Sequence, residues 1–203
     1  MKKLFVTMIA LAAAVTAFAQ FPAGLSVGAG YVSAKKTTKA DNHSDSRSFG
    51  GFYVNADYNI AIGDTGFGVA PGVYVDLPIY KDELAGIDTK WKELNLGIPV
   101  MVNYAFPVAD IIKIIPFAGP TVQFGISSKI IQEQGNQKHT IDAYDGDDAQ
   151  KRLQLFIGGG VAVDIAEIVR VSLGYDAGLL NRSNDSDIKA KDSGFHIGVA
   201  YLF

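Results

Sequence analysis

Seven ionisable residues, Asp57, Asp76, Glu93, Asp164, Arg170, Asp176 and His196, share one parity within runs in which apolar and polar side chains alternate. A period of two places such residues on one face of a β-sheet, where they can pair with one another or move protons. Asp164 and Arg170 stand three residues to either side of Glu167, so a tight hairpin sets them directly opposite and predicts an ion pair. His196, with Ser172 and a carboxylate such as Asp176, has the composition of a nucleophilic triad. Such chemistry needs accessible surface, and these side chains are expected to point inward, so structural pairing is the better reading. The acidic stretches IDAYDGDD, with Asp142, Asp145, Asp147 and Asp148, and NDSD at 184–187 offer oxygen ligands, but neither has EF-hand spacing. They read as solvated loop charge. His43 and His139 are isolated, and the chain has no cysteine, so no metal site, cofactor, thiol nucleophile or disulfide is assigned.

The elements that carry these residues are eight alternating segments, roughly 23–34, 49–61, 66–77, 91–106, 114–127, 153–165, 169–179 and 194–203. Each is about ten residues or a little longer, the length of a membrane-spanning strand. Pro116 and Pro120 interrupt the ladder of the fifth, whose register is the least clear. Short connections at 61–65, 107–113 and 166–168 alternate with longer polar ones at 35–48, 78–90, 128–152 and 180–193. Short turns at one end and long loops at the other predict an all-β, eight-stranded antiparallel up-and-down transmembrane barrel, with both termini at the short-turn, periplasmic end.

A chain with twenty-two glycines, twelve Phe, nine Tyr and 19% charged residues favours strands and turns over helices. Its first nineteen residues carry Lys2 and Lys3, an apolar stretch from Leu4 and the small-x-small site Ala17-Phe18-Ala19. This is the pattern of a secretory signal peptide, giving residues 1–19 as signal and 20–203 as the barrel. Without Lys2 and Lys3, sixteen basic residues face twenty-one acidic ones, a net charge of about −5 that argues against a nucleic-acid partner.

A soluble ligand-carrying barrel also alternates, so the chemistry of each face has to separate the two. The non-apolar face is Gly, Asn, Ser, Asp, Gln and Tyr, while the lysines gather in the long connections and only Arg170 is expected well within a strand. That composition suits a crowded interior filled by side chains, with the apolar face turned to lipid. Tyr58, Phe67, Tyr104, Phe106, Tyr201 and Phe203 fall near the short-turn ends and Tyr31, Phe52, Phe124, Tyr175 and Phe195 nearer the long-loop ends, as two interfacial rings would. In hydrocarbon an open edge leaves backbone groups unsatisfied, so the last segment must pair with the first.

The runs WKELNLGIPVMVNYAF and IIPFAGPTVQFGIS, then LFIGGGVAVDI and VRVSLGYDAGLLN, together with terminal Phe203, resemble the outer-membrane β-barrel domain family that includes PorT-like and small OmpX-like barrels. The resemblance spans about residues 20–203 and implies a Gram-negative outer-membrane location. The alternation Phe195, Ile197, Val199, Tyr201, Phe203 resembles the C-terminal signal read by the barrel assembly machinery. The expected partners are outer-membrane lipid or lipopolysaccharide, that machinery during biogenesis, and an unknown extracellular ligand; the barrel is expected to be a monomer. The expected function is non-enzymatic, carried by the long loops through surface binding, adhesion or protection. A small transport or secretion-accessory barrel and an outer-membrane hydrolase are the alternatives, the latter because lipid A deacylases use similar barrels. The third long connection has β-prone residues around Gly135-Asn136 and predicts a hairpin whose edge captures a partner by strand addition.

Overall fold

A sheet with an apolar stripe along every strand and nothing to cover its edges satisfies its backbone by closing on itself. The computed structural model describes residues 24–40, 43–84, 87–135, 137–146, 149–185 and 187–203. The signal-peptide expectation for residues 1–19, and Asp147 and Asp148 of the acidic loop, lie outside the described residues. The strands are β1 (Leu25–Ala40), β2 (His43–Tyr58), β3 (Ile60–Ala61), β4 (Phe67–Leu84), β5 (Ile87–Tyr104) and β6 (Phe106–Ala109). They continue as β7 (Ile112–Gln134), β8 (Gln137–Asp142), β9 (Leu153–Ile165), β10 (Val169–Gly178) and β11 (Ile188–Leu202), with no α-helix among the described residues.

Eight of these form an antiparallel ring in the order β1, β2, β4, β5, β7, β9, β10, β11 and back to β1. The closing seam runs from Ser26 opposite Leu202 to Ala40 opposite Ile188. It is finished by the Phe203 N–H, which donates to the Leu25 carbonyl at 2.9 Å. The expected eight-stranded barrel is the fold observed. The outward face is apolar as read from the alternation: Phe195, Ile197, Val199 and Tyr201 are all exposed, Phe195 at 59%. Ring pairs such as Tyr31 with Phe52 and Tyr175 with Phe195 mark one end of this belt, and Phe67 with Tyr104 the other.

The strand ends differ from the sequence reading. The connections at 35–48 and 78–90 are mostly strand: β1 and β2 stay paired as far as Ala40 and His43, and β4 and β5 as far as Leu84 and Ile87. Polar alternation with Lys, Thr and Ser still makes a sheet once water covers both faces, so the hydrophobic pattern marked only the portion within the apolar belt. Arg170 is accordingly not alone within a strand: Lys36, Arg47, Lys81, Lys92 and Lys129 are strand residues too. In β7 the pairing shifts at Leu94/Asn95, leaving Ile126 as a bulge. The inward residue after Gly125 is therefore Ser128, where unbroken alternation would place Ser127. Beyond the ring, β8 pairs with β7 from Lys129–Asp142 to Gln134–Gln137, the hairpin expected around Gly135.

The β9–β10 turn is closed by the Ile168 N–H donating to the Ile165 carbonyl at 3.1 Å. Ala166 and Glu167 there have φ of 53° and 56°, a conformation that costs a residue with a Cβ about 1–2 kcal/mol. Glu167 has an ion pair with Lys113 at 2.5 Å to hold it, whereas Ala166 has only its backbone bond to Ile111. Ala166→Gly is expected to stabilise the folded barrel by up to about 1 kcal/mol in urea titration. A destabilised variant would contradict this reading of the turn.

Candidate functional site

Inward positions of adjacent strands meet in the lumen, and register decides which side chains share a level. Nearest the short-turn end, Arg170 stands directly opposite Asp164. It is held bidentately, Nε to Oδ1 at 2.6 Å and Nη2 to Oδ2 at 2.8 Å. Asn103 Nδ2 donates to Asn59 Oδ1 at 2.8 Å at the same end of the lumen, on the opposite wall. Above lies a cavity of about 170 Å³, walled in part by Asp57, Tyr53, Tyr74, Phe117, Asp176 and His196. The lumen is therefore not filled along its whole length. The alternation alone does not reveal this, and inward glycines are not its source: a Cβ at Gly158, Gly160 or Gly198 would lie 1.8 Å from Asp176, 2.1 Å from the Leu173 carbonyl and 2.1 Å from the Tyr53 hydroxyl, so neighbours already fill those places.

His196 Nδ1 lies 3.1 Å from Asp176 Oδ2, and its ring covers Gly174 so closely that a Cβ there would lie 2.2 Å from Nε2. Ser172 lines the same cavity but makes no hydrogen bond to His196 among the described residues. The three residues are thus neighbours without forming a nucleophile–base pair. Asp57 accepts from Asn55 Nδ2. Asp76 is buried and accepts from Asn95 Nδ2 at 2.7 Å and Gln123 Nε2 at 3.2 Å, with Gln123 also donating to the Tyr74 hydroxyl at 3.1 Å.

At the long-loop end the lumen is closed by a lattice of two cations and two carboxylates. Glu93 is 2% exposed and Arg182 3%. Lys36 Nζ reaches Glu93 Oε2 at 2.9 Å and Asp192 Oδ2 at 3.3 Å. Arg182 Nη2 donates to Glu93 Oε1 at 3.0 Å and Nη1 to Asp192. Ser128 Oγ adds a bond to Glu93 at 3.1 Å and itself accepts from the Trp91 indole N–H at 2.7 Å. The Lys36 ammonium also stands 5.3 Å from the ring centres of both Phe49 and Trp91. Four buried charges of balanced sign, each with several partners, avoid the cost of an isolated ion.

Of the seven residues singled out from sequence, only Glu93 belongs to this lattice. Lys36, Arg182 and Asp192 fall in the long polar connections 35–48 and 180–193 of the sequence reading, and all three are buried. Lys36 has inward parity in β1, and that signal was available once β1 was known to continue beyond residue 34. Arg182 lies outside any strand, so no periodicity points to it. Residues 179–185 fold over the mouth instead, the Arg182 N–H donating to the Ala190 carbonyl and its own carbonyl accepting from Lys151 N–H, each at 2.8 Å. Tyr144, from the segment after β8, accepts from Arg182 Nη2 at 3.0 Å and packs down on Gly125. Asp142 and Asp145 cap backbone N–H groups of Tyr144 and Gly146, and no cluster of metal-ligating residues forms among the described residues.

A closed antiparallel ring, apolar outside and polar inside, with short turns at one end, defines a transmembrane β-barrel. The model of the outer membrane protein beta-barrel domain family matches residues 4–203, and the chain belongs to that family and resides in the outer membrane. Ail, the attachment invasion locus protein of Yersinia pestis solved with the heparin analogue sucrose octasulfate, is 14% identical with a TM-score of 0.52, covering 90% of this chain and 100% of its own. Neisserial surface protein A is 15% identical with a TM-score of 0.51, covering 91% and 100%. The outer membrane enzyme PagL is 10% identical with a TM-score of 0.50, covering 85% and 99%. At such identities these likenesses show the fold alone. No curated protein matches the chain.

Glu93→Gln leaves two buried cations facing one carboxylate and is expected to lower the unfolding free energy by about 3–5 kcal/mol. Adding Lys36→Met restores the balance, with Arg182 and Asp192 still paired, and should recover most of the loss. Urea unfolding in lipid vesicles measures both. A double variant no more stable than Glu93→Gln would contradict the lattice.

Proposed function

We propose that the protein is a non-enzymatic outer-membrane barrel, exported by residues 1–19, whose membrane portion is a closed anchor and whose extracellular sheet binds a surface partner. The observation that carries this reading is the contrast between the two ends of the strands. The lumen is stopped below the mouth by the buried lattice of Lys36, Glu93, Arg182 and Asp192. Above it, β4, β5, β7 and β8 continue as a sheet, and β8 pairs with β7 alone among the described residues. Its other edge offers unpaired backbone groups to an extended segment of a partner protein. A transport role is disfavoured by the stop across the mouth, and a hydrolase by the enclosed, unaligned Ser172, His196 and Asp176. Asp57, Asp76, Asp164, Arg170, Asp176 and His196 then serve as lumen packing. Phe195, Ile197, Val199, Tyr201 and Phe203 serve as the assembly signal and the sealing edge.

Joining Ile130 to Ile141 through an Asn-Gly turn removes the protruding hairpin and leaves the ring intact. Cells carrying this variant are expected to keep normal outer-membrane levels and to lose adhesion to the surfaces the unaltered protein binds. Purified barrel in planar bilayers should show no steady ion current. A stable conductance, or full adhesion without the hairpin, would overturn the reading.

A further inference from the structure

The outward face changes chemistry abruptly above the apolar belt. The bulge at Ile126 keeps β7 in step with β4 and β5, so the outward residues of these strands line up in rows. The first row above the belt is Ile79, Lys92 and Lys129, and the second is Lys81, Lys90 and Ile131. The third is Glu83, Asp88 and Glu133. On β4, β5 and β7 the surface thus runs from apolar to cationic and only then to anionic, while β8 sets Asp142 opposite Lys129 and Lys138 opposite Glu133.

Like charges directly opposite on neighbouring strands repel. Lys92 and Lys129 face each other, as do Lys81 and Lys90 one row higher. Three of the four are exposed, Lys90 is half-buried, and none makes an ion pair within 4.0 Å with a described residue. The acidic row above makes no contact ion pair with them among the described residues: Glu133, which Lys90 and Lys92 also attract from a distance, is paired with Lys138 at 2.8 Å. This contrasts with the inward lysine, Lys36, which is fully compensated.

Height then selects the counter-ion. A tilted strand crosses the hydrocarbon in about ten residues. Counting from Tyr104 at the short-turn end, β5 leaves the hydrocarbon near Leu94. Lys92 and Lys129 therefore stand at the first outward position beyond it, the level of outer-leaflet headgroups. We propose that Lys81, Lys90, Lys92 and Lys129 form a binding site for the phosphate groups of a phosphorylated outer-leaflet glycolipid, whose acyl chains lie along the apolar belt of β4, β5 and β7 below. Continuity of the cationic rows with that belt favours a lipid over a soluble anion, because a free polyanion gains nothing from the hydrocarbon surface beneath.

The test uses the mature barrel refolded in zwitterionic detergent and titrated with fluorescent bisphosphorylated lipid A or its dephosphorylated form. Replacing all four lysines by Gln is expected to weaken binding of the phosphorylated lipid more than about tenfold, from roughly 1 kcal/mol for each lysine near an anionic surface. The dephosphorylated lipid should bind wild type and variant alike, as weakly as the variant binds the phosphorylated form. Heat-shifted gel mobility confirms that each variant is folded, and the smaller Lys92→Gln/Lys129→Gln variant, expected to show an intermediate loss, decides the matter if the fourfold variant does not fold. Equal affinity of folded variant and wild type would overturn the proposal, as would equal binding of the dephosphorylated lipid by wild type. Displacement of the lipid by equimolar inorganic phosphate or heparin would overturn it too, marking a site for free phosphate or for a sulfated glycan.

Discussion

The structure depends on one constraint: a backbone N–H or C=O facing hydrocarbon has no water to bond with and must find its partner in the chain. The seam between β1 and β11 meets it, pairing Ser26 through Ala40 with Leu202 through Ile188 and ending on the Phe203 bond to Leu25. Once the sheet is closed there are two environments, and alternation sends each residue to one of them. The C-terminal strand, which would fray in an open sheet, is held on both sides by β1 and β10.

Closure creates a second requirement, since every inward polar group loses bulk water. Near the short-turn end this is met by neighbours in register, as with Arg170 and Asp164. At the long-loop end it takes partners from four parts of the chain: Lys36 on β1, Glu93 on β5, Asp192 on β11 and Arg182 from the segment folded over the mouth. Such a lattice contributes little net stability over an apolar plug, but it ties the loops to the barrel, because removing any one member leaves a charge uncompensated. The sheet beyond the mouth thereby stands on a fixed base.

The ring, its strand order and the outward face were legible in the sequence because a period of two is imposed directly by the pleat. Register in β7 was legible only in part: Pro116 and Pro120, which were expected to interrupt the ladder, sit in unbroken pairing with β9, and the shift falls instead at Ile126, where the bulge leaves no hydrophobic mark. The sealing lattice was largely hidden. Glu93 showed inward parity, but Lys36 sits where apolar alternation has ended, and Arg182 reaches the lumen through backbone bonds to Ala190 and Lys151 that no spacing encodes. The cavity was hidden as well, since alternation tells which side chains point inward but not how far across the lumen they reach.

Closure is the claim on which all of this stands, and the absence of native cysteine allows it to be tested in living cells. Ala29 and Val199 are directly opposite across the β1–β11 seam, as Val163 and Val171 are within the β9–β10 hairpin. With cysteine introduced at each pair in turn, mild oxidation of intact cells should cross-link both pairs to a similar extent. Efficient cross-linking within the hairpin but none across the seam would show an open sheet and contradict the account.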